Sequence, residues 1–410
     1  MPAALQLSSN ARLRWGADGR LVADGARSTE GIAIEAGDVG FLERFAVAAD
    51  PEAVIREHAP GAGPRLRALV DDLHRIGALV PTGGGLVDTG HFADPQRQLA
   101  LLWDSVRMTA FRRALERCAA GRVLVELGTG HGVLACLAAR AGARRVFAIE
   151  ETSMIDVARE IARRNGLDDR IVFVEGNSLD VELPERAQVV FGDLMGADPL
   201  GAGMLVYLHD AATRFLEPGG TVLPARLTLL AVGVDSKRIA RETDEARNWL
   251  RGAKELSAAY GLDLAPLEQA SRSAFARSYD TFSYKELLDP ATEGDRILTR
   301  EVQVAEFELG RADPARAAEA LLSFPVERGG TLNAIATYAA VELDAETTLT
   351  NSPHATERAS AWGGQFLSAL PPAEVAAGAT AEVVAEVTPW TSPAVRYRRR
   401  SGEAGSLFDA

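Results

Sequence analysis

Cysteine is nearly missing from this sequence: 2 in 410 residues, Cys118 and Cys136, too few for a disulfide framework or a cysteine metal site. Both lie in apolar helical surroundings, where a thiol packs as a small hydrophobe. No window approaches the roughly 18 consecutive apolar residues that a membrane helix needs, so no membrane partner is expected. No basic-then-apolar leader stands at Met1, which makes the cytoplasm the expected location. The 6 histidines are scattered without metal-ligand spacing, and no metal is expected. Positive charge is also in short supply, with 44 Lys and Arg against 57 Asp and Glu and a net charge of -13. A broad basic surface for nucleic acid is thereby disfavoured, and basic or neutral partners fit better. The cluster of Arg396, Arg398, Arg399 and Arg400 is a local exception, read as part of a solvated tail.

What is present is an ordinary soluble composition, 47% hydrophobic and 25% charged, in a chain long enough for two or three domains at about 100–200 residues each. No internal repeat stands out. The most informative stretch is Val123 to Gly132, an apolar run that stops on Glu126 and then places Gly128, Gly130 and Gly132 at alternate positions. Val123 to Val125 read as a buried parallel strand, the glycines as a sharp turn with close approach to a ligand, and Val133 to Ala141 as the following helix. A strand, glycine turn and helix make a site for a nucleotide-like cofactor.

Alternation of strands and helices continues. Val146 to Ile149 form a second strand ending at Glu150, where a carboxylate can hold a ribose diol. The helix from Thr152 to Asn165 leads to a third strand, Ile171 to Val174, and to a polar loop of Gly176, Asn177, Ser178, Leu179 and Asp180 at the height of a base. Val189 to Phe191 end in Gly192 and Asp193, Met204 to Phe215 are helical, and Thr221 to Leu223 start a fifth strand. This is a doubly wound parallel sheet. Before it, Leu99, Leu102, Trp103, Val106, Ala110 and Leu115 fall at helical spacing, with Asp104 and Arg107 one turn apart. Arg107 reads equally as a clamp for a ligand carboxylate and as a surface ion pair with Asp104. A dinucleotide turn needs two residues between its second and third glycines, whereas alternate glycines after an acid favour S-adenosylmethionine, which has no phosphate to seat.

The flanks differ in texture. Residues 10 to 87 hold a hairpin around Gly16-Ala17-Asp18-Gly19, a strand at Ile32 to Ile34, and helices at Val39 to Ala48, Pro51 to His58 and Arg65 to Ile76. Ala78 to Pro81 and Leu86-Val87 then flank three glycines as a wing. Beyond residue 226, Leu227 to Val234, Val302 to Phe307, Ala334 to Leu343 and Ala381 to Val387 read as strands, and Glu242 to Tyr260 as an amphipathic helix. The expected organisation is a winged-helix-like domain over 1–87 and a Rossmann-like domain over 88–225. A β-barrel-like domain follows over 226–390 with a helical insertion at about 236–270, then a tail over 391–410.

From about Gly90 to Pro389 the chain resembles the protein arginine methyltransferases, class I S-adenosylmethionine-dependent enzymes. The resemblance runs in order through Leu101 to Arg107, Val123 to Gly132, Ala148 to Glu150, the hairpin from Gly192 through Met204, Leu223-Pro224, Tyr260 to Asp263, and Asn351-Ser352-Pro353 through Trp362. It implies a methyltransferase that binds S-adenosyl-L-methionine and releases S-adenosyl-L-homocysteine. Arg107 would hold the cofactor's carboxylate, Glu126, Gly128, Thr129, Gly130 and Gly132 would line it, and Glu150 with Glu151 would meet the ribose. Ser178, Leu179 and Asp180 would flank adenine, and Asp193 and Met204 would lie near the sulfonium. It also implies a homodimer, with Trp249, Leu250 and Leu256 as contact face. Residues 1–87 resemble PqqD-like domains that hold leader peptides of ribosomally made natural products, a combination similar to daptide-type peptide methyltransferases.

The departures bear on the acceptor. The family grips a guanidinium with two glutamates, which here fall on Asp193 and Ala202; its histidine–tryptophan pair is Ala361-Trp362, and its tyrosine pair is reduced to Asp88 and Phe92. One carboxylate leaves a planar cation with an unpaired donor face, a loss of about 1–3 kcal/mol. The expected acceptor is therefore an amine of a precursor peptide, oriented by Asp193, with Asp198 and His209 as reserve bases. A small molecule or free amino acid follows, then arginine, then a binding protein without chemistry.

Overall fold

A computed structural model describes residues 5–7, 12–15, 20–24, 31–45, 49–58, 62–76, 78–81, 93–196, 198–271, 295–314, 317–362, 364–388 and 394–400. Short apolar runs near the start form β1 (Leu5–Leu7), β2 (Arg12–Trp15), β3 (Leu21–Asp24) and β4 (Ile32–Ile34). Three helices follow, α1 (Val39–Glu43), α2 (Pro51–His58) and α3 (Gly63–Arg75), and then β5 (Leu79–Pro81). β2, β3 and β4 are one antiparallel sheet, as the hairpin pattern implies. β5 pairs with β1, a partner the sequence reading did not supply. The expected turn at 16–19, the end of the first helix at 46–48, and the wing residues Gly83 to Val87 lie outside the described residues. Phe41, Phe45, Ile55, Leu66 and Leu73 fill a core belonging to this module alone.

The parallel sheet follows the expected plan. A helical entry, α4 (Pro95–Leu102) and α5 (Ser105–Cys118), precedes β6 (Val123–Leu127), α6 (Val133–Arg140), β7 (Arg145–Glu150), α7 (Met154–Arg164), β8 (Ile171–Glu175), β9 (Ala187–Phe191), α8 (Met204–Arg214) and β10 (Leu216–Leu223). The strand order is β10-β9-β6-β7-β8, all parallel. β6 is buried along its whole length, as a central strand with helices on both faces must be. The order reverses between β6 and β9, and in such sheets ligands bind beyond the strand ends at that point.

The entry helix is where apolar spacing misleads. The spacing treats Leu99 and Trp103 as core, yet they are 59% and 83% exposed. The helix breaks at Trp103 because Asp104 takes a non-helical backbone (φ -75°, ψ 85°) and caps α5, its carboxylate accepting the Arg107 N–H at 2.9 Å. Each half then sets its own buried face, and α4 buries Gln98.

The chain divides into two compact units, one holding residues 1–194 and 202–223, the other 195–201 and 224–410. The second unit is antiparallel. It contains β11 (Arg226–Asp235), α9 (Lys237–Tyr260), β12 (Arg296–Ile297), β13 (Val302–Glu308), β14 (Ala318–Pro325), β15 (Gly330–Asp344), β16 (Thr347–Thr350), β17 (Phe366–Val375), β18 (Thr380–Val387) and β19 (Val395–Arg399). Six strands join around β11 and β15, and β14-β18-β19 form a second sheet. The solvated tail is corrected over 395–399: those residues are β19, registered on β18. Arg398 pairs with Glu319 and Arg400 with Glu382, both at 2.9 Å, and Arg399 donates to the carbonyls of Pro371 and Leu332. α9 begins five residues before the expected Glu242, since Ser236 caps it.

Asn351 is a buried cross-link within this unit, accepting the Ala339 N–H and donating to the Gly364 carbonyl, each at 2.9 Å. Asn351→Ala leaves both backbone groups unpaired and should cost about 2–4 kcal/mol in chemical denaturation. A loss under about 0.5 kcal/mol would show that water replaces the amide.

Candidate functional site

The end of β6 carries the first carboxylate. Glu126 is 2% exposed, and the Thr129 hydroxyl donates to it at 2.5 Å. Burial pushes its carboxyl up to about 8, against the pull of the Thr129 bond and helped by the neighbouring Glu150. Glu150, at the end of β7, is also buried and also raised, chiefly by desolvation. Its two oxygens accept the N–H groups of Gly130 and Thr152, each at 2.8 Å, so β7 pins the glycine turn across the sheet. Each carboxylate oxygen retains a lone pair for a ligand hydroxyl.

The glycines serve packing as well as approach. Gly132 has φ +75°, and a Cβ there would meet the Ala158 Cβ at 2.7 Å, so it lets α7 close on the turn. Gly130 has φ +52°, and a Cβ there would stand 2.6 Å from Oε1 of Gln98. That amide oxygen also accepts the His131 N–H at 3.2 Å. His131 is buried and its ring is depressed to about 4, first by burial and then by the charge of Arg107. The Val133 N–H donates to its Nδ1 at 3.1 Å, which leaves the neutral ring's proton on Nε2.

Arg107 is not on the surface. It is 2% exposed, its guanidinium pairs with Asp193 just beyond β9, and its Nε lies 4.0 Å from the carboxylate of Asp104, which also caps the helix. Nη2 donates to the Leu101 carbonyl at 2.5 Å, and buried Nε has no hydrogen-bond partner among the described residues. A buried orphan donor on a guanidinium is a fitting place for a carboxylate.

On the β8 side, Glu151 accepts from Asn177 at 3.0 Å, and Asn177 Oδ1 accepts the Leu179 N–H at 3.0 Å. Ser178 is buried with its carbonyl bound by Arg214, and Asp180 is exposed at the loop's edge. Met204 is fully buried as the first residue of α8. The reserve bases are placed differently. Asp198 belongs to the second unit, where its carboxylate accepts the Ala394 N–H at 3.1 Å and the Leu200 N–H at 3.3 Å, a structural occupation. His209 lies on α8 with its Nδ1 buried and without a hydrogen-bond partner among the described residues. Sequence reasoning passed over Gln98, His131 and Asn177. Gln98 alone had left a signal, as a polar residue at helical spacing from Leu101 and Leu102.

Among the described residues no group of three His, Cys, Asp or Glu is placed to hold a metal, and no helix is long and apolar enough to cross a membrane. The model of the ribosomal protein L11 methyltransferase family matches residues 110–225. Protein arginine N-methyltransferase PRMT10 of Oryza sativa subsp. japonica is 34% identical over 189 residues, 44% of this chain and 50% of that protein. Probable protein arginine N-methyltransferase 6 of Arabidopsis thaliana is 28% identical over 203 residues, 48% of this chain and 42% of that protein. The chain thus spans about half the length of the curated relatives it matches. The crystal structure of Arabidopsis thaliana protein arginine methyltransferase 10 superposes with TM-score 0.63 at 24% identity, over 72% of this chain and 88% of that one. The fold is that of the protein arginine methyltransferases. A second structure with the arginine methyltransferase fold, the Trypanosoma brucei PRMT1 enzyme–prozyme heterotetramer with AdoHcy, gives TM-score 0.58 at 19% identity, again over 72% and 88%. Within that fold Glu126, Glu150, Arg107 and Asp193 lie at adjoining strand ends of one sheet and the helix before it.

The buried Glu126 makes stability pH-dependent. Unfolded, it ionises near 4.5; folded, near 8, so the folded state binds the extra proton between those values and stability falls as pH rises through that window. Glu126→Gln removes this loss. Calorimetry should show the variant gaining on the wild type by a few kcal/mol from pH 5 to pH 8.5, and a constant gap would mean the carboxyl is ionised throughout.

Proposed function

We propose that this protein is an S-adenosylmethionine-dependent methyltransferase that modifies a nitrogen of a peptide or protein. The observation that carries this reading is the buried Arg107, paired with Asp193 and holding one donor without a hydrogen bond among the described residues, beside a sheet of the arginine methyltransferase fold. The residues present fit the cofactor: Arg107 would hold its carboxylate and Glu150 its ribose, with Glu151 and Asn177 at the outer edge. When bound, S-adenosylmethionine supplies a methyl group activated by its sulfonium. Asp193 would orient the acceptor nitrogen and stabilise the positive charge that develops on it. An ammonium acceptor, with an ordinary pKa near 10, must lose its proton before it attacks. His209 remains a candidate for that proton, and Asp198 is the weaker one because its carboxylate already binds backbone N–H groups.

Two acceptors are supported by different observations. The names of the relatives favour arginine. The residues of this chain favour an amine, because Ala202 stands where a second carboxylate would be needed. The small winged-helix-like module suits leader-peptide recognition, and the amine reading is then a precursor peptide of a ribosomally made product, of daptide type. A small-molecule amine is the remaining alternative.

Calorimetric titration with S-adenosylhomocysteine should give a measurable affinity, lowered at least tenfold in Glu150→Ala and in Arg107→Ala. Absence of binding to the wild type would remove the cofactor assignment. Mass spectrometry should find one or two added methyl groups on an amine, with a lower KM for a long precursor than for its short core; methylarginine as the main product would make the second acceptor the correct one. A homodimer is proposed through α9, where Trp249 and Leu256 are exposed, whereas Leu250 is buried in the unit's own packing and drops out of the contact face. Light scattering at micromolar concentration should give about twice the 43.6 kDa chain mass, and a monomer mass would reject it.

A further inference from the structure

We propose that the cleft at the root of α9 is a binding site for a short aliphatic monocarboxylate. The cleft begins as a break in a β-ladder. Pro371 and Pro372 have no N–H to give, and the pairing of β17 with β15 jumps from Ala373 opposite Leu332 to Ala369 opposite Ala334. Asn333, inside the jump, turns its amide to Ser236 instead, accepting its N–H at 2.8 Å and donating to its carbonyl at 2.9 Å. Ser236 is the cap of α9, so the helix is fastened over the gap in the ladder. A cavity of about 380 Å³ remains between them, within the range of about 300–1,000 Å³ of small-ligand sites.

One wall of the cavity carries an unsatisfied group. Thr243, almost two turns into α9, is 4% exposed, and its hydroxyl has no hydrogen-bond partner among the described residues. A threonine on a helix can bond the carbonyl one turn back; this one does not. A buried hydroxyl without a partner is unfavourable and is satisfied by a ligand oxygen.

The charges select the ligand's valence. Asp235 is paired with Arg296, and Asp244 with Arg247 at 3.3 Å, which leaves Lys237 as the lining cation without an ion pair among the described residues. A monoanion completes that balance. A phosphate dianion would add a charge facing two aspartates, and an amine would meet Lys237. Buried Ile239 and Leu370 supply an apolar floor, so the carboxylate needs a short hydrocarbon tail behind it. Two sources carry that chemistry, a free short-chain acid and the C-terminus of a peptide ending in an aliphatic residue.

The full chain should be titrated calorimetrically with sodium hexanoate, N-acetylleucine and hexanamide. Hexanoate or N-acetylleucine should bind with a Kd below about 10 mM, and hexanamide at least tenfold more weakly. Tighter binding of N-acetylleucine assigns the site to peptide termini; tighter binding of hexanoate assigns it to free acids. Lys237→Gln, an exposed change that should leave Tm alone, should weaken either acid about fivefold. Thr243→Val should weaken it about threefold while raising the Tm of the free protein, because the unpaired hydroxyl is gone. The proposal is overturned if neither acid binds, if hexanamide matches them, or if Lys237→Gln binds as tightly as the wild type.

Discussion

A guanidinium buried to 2% exposure can persist only if its charge is answered, and the pair that Arg107 makes with Asp193 answers it. The pair ties α5 to the end of β9, across the reversal in strand order. It follows that the helix before the first strand cannot drift from the sheet without exposing two uncompensated charges, at a cost of about 3–5 kcal/mol. Asp104 adds a second, longer ion pair to Nε at 4.0 Å, and as helix cap it fixes where α5 starts, and so which face Arg107 takes. The same residue ends the expected continuous stripe and leaves Trp103 exposed.

Against this cation the sheet sets two desolvated acids. Burial raises the affinity of Glu126 and Glu150 for protons, helped by the charge of Glu150 at the first and of Glu151 at the second, and hydrogen bonds from the backbone and from Thr129 hold them in place. Gly130 accepts the close approach of Gln98, Gly132 that of α7, and His131 is kept neutral beside Arg107. The arrangement places a guanidinium donor at one end and proton-rich carboxylates at the other, an asymmetry suited to a ligand with a carboxylate head and a diol further along.

Legibility in the sequence tracked how local the cause was. β6, β7 and β9 were readable because a parallel strand covered on both faces must be continuously apolar, and Glu126 and Glu150 were readable because an acid lies at the end of each of the first two runs. β14 was not: Ala318 to Leu322 are good helix formers, held extended by pairing with β18. β17 carries Pro371-Pro372 and β19 carries three arginines, both poor strand signals that pairing overrides. Gln98, His131 and Asn177 entered the site through contacts 26 to 33 residues away along the chain, which no local window contains.

The sequence by itself determined the parallel sheet, its order of strands and helices, and the acids at its strand ends, because periodicity and turn chemistry act over a few residues. Only the tertiary structure decided that Arg107 is buried between Asp193 and Asp104, that Asp198 is spent on backbone N–H groups, and that the arginine-rich end is a strand. Those outcomes depend on which charges lose their water together, and desolvation is a property of the packed molecule rather than of any segment of its chain.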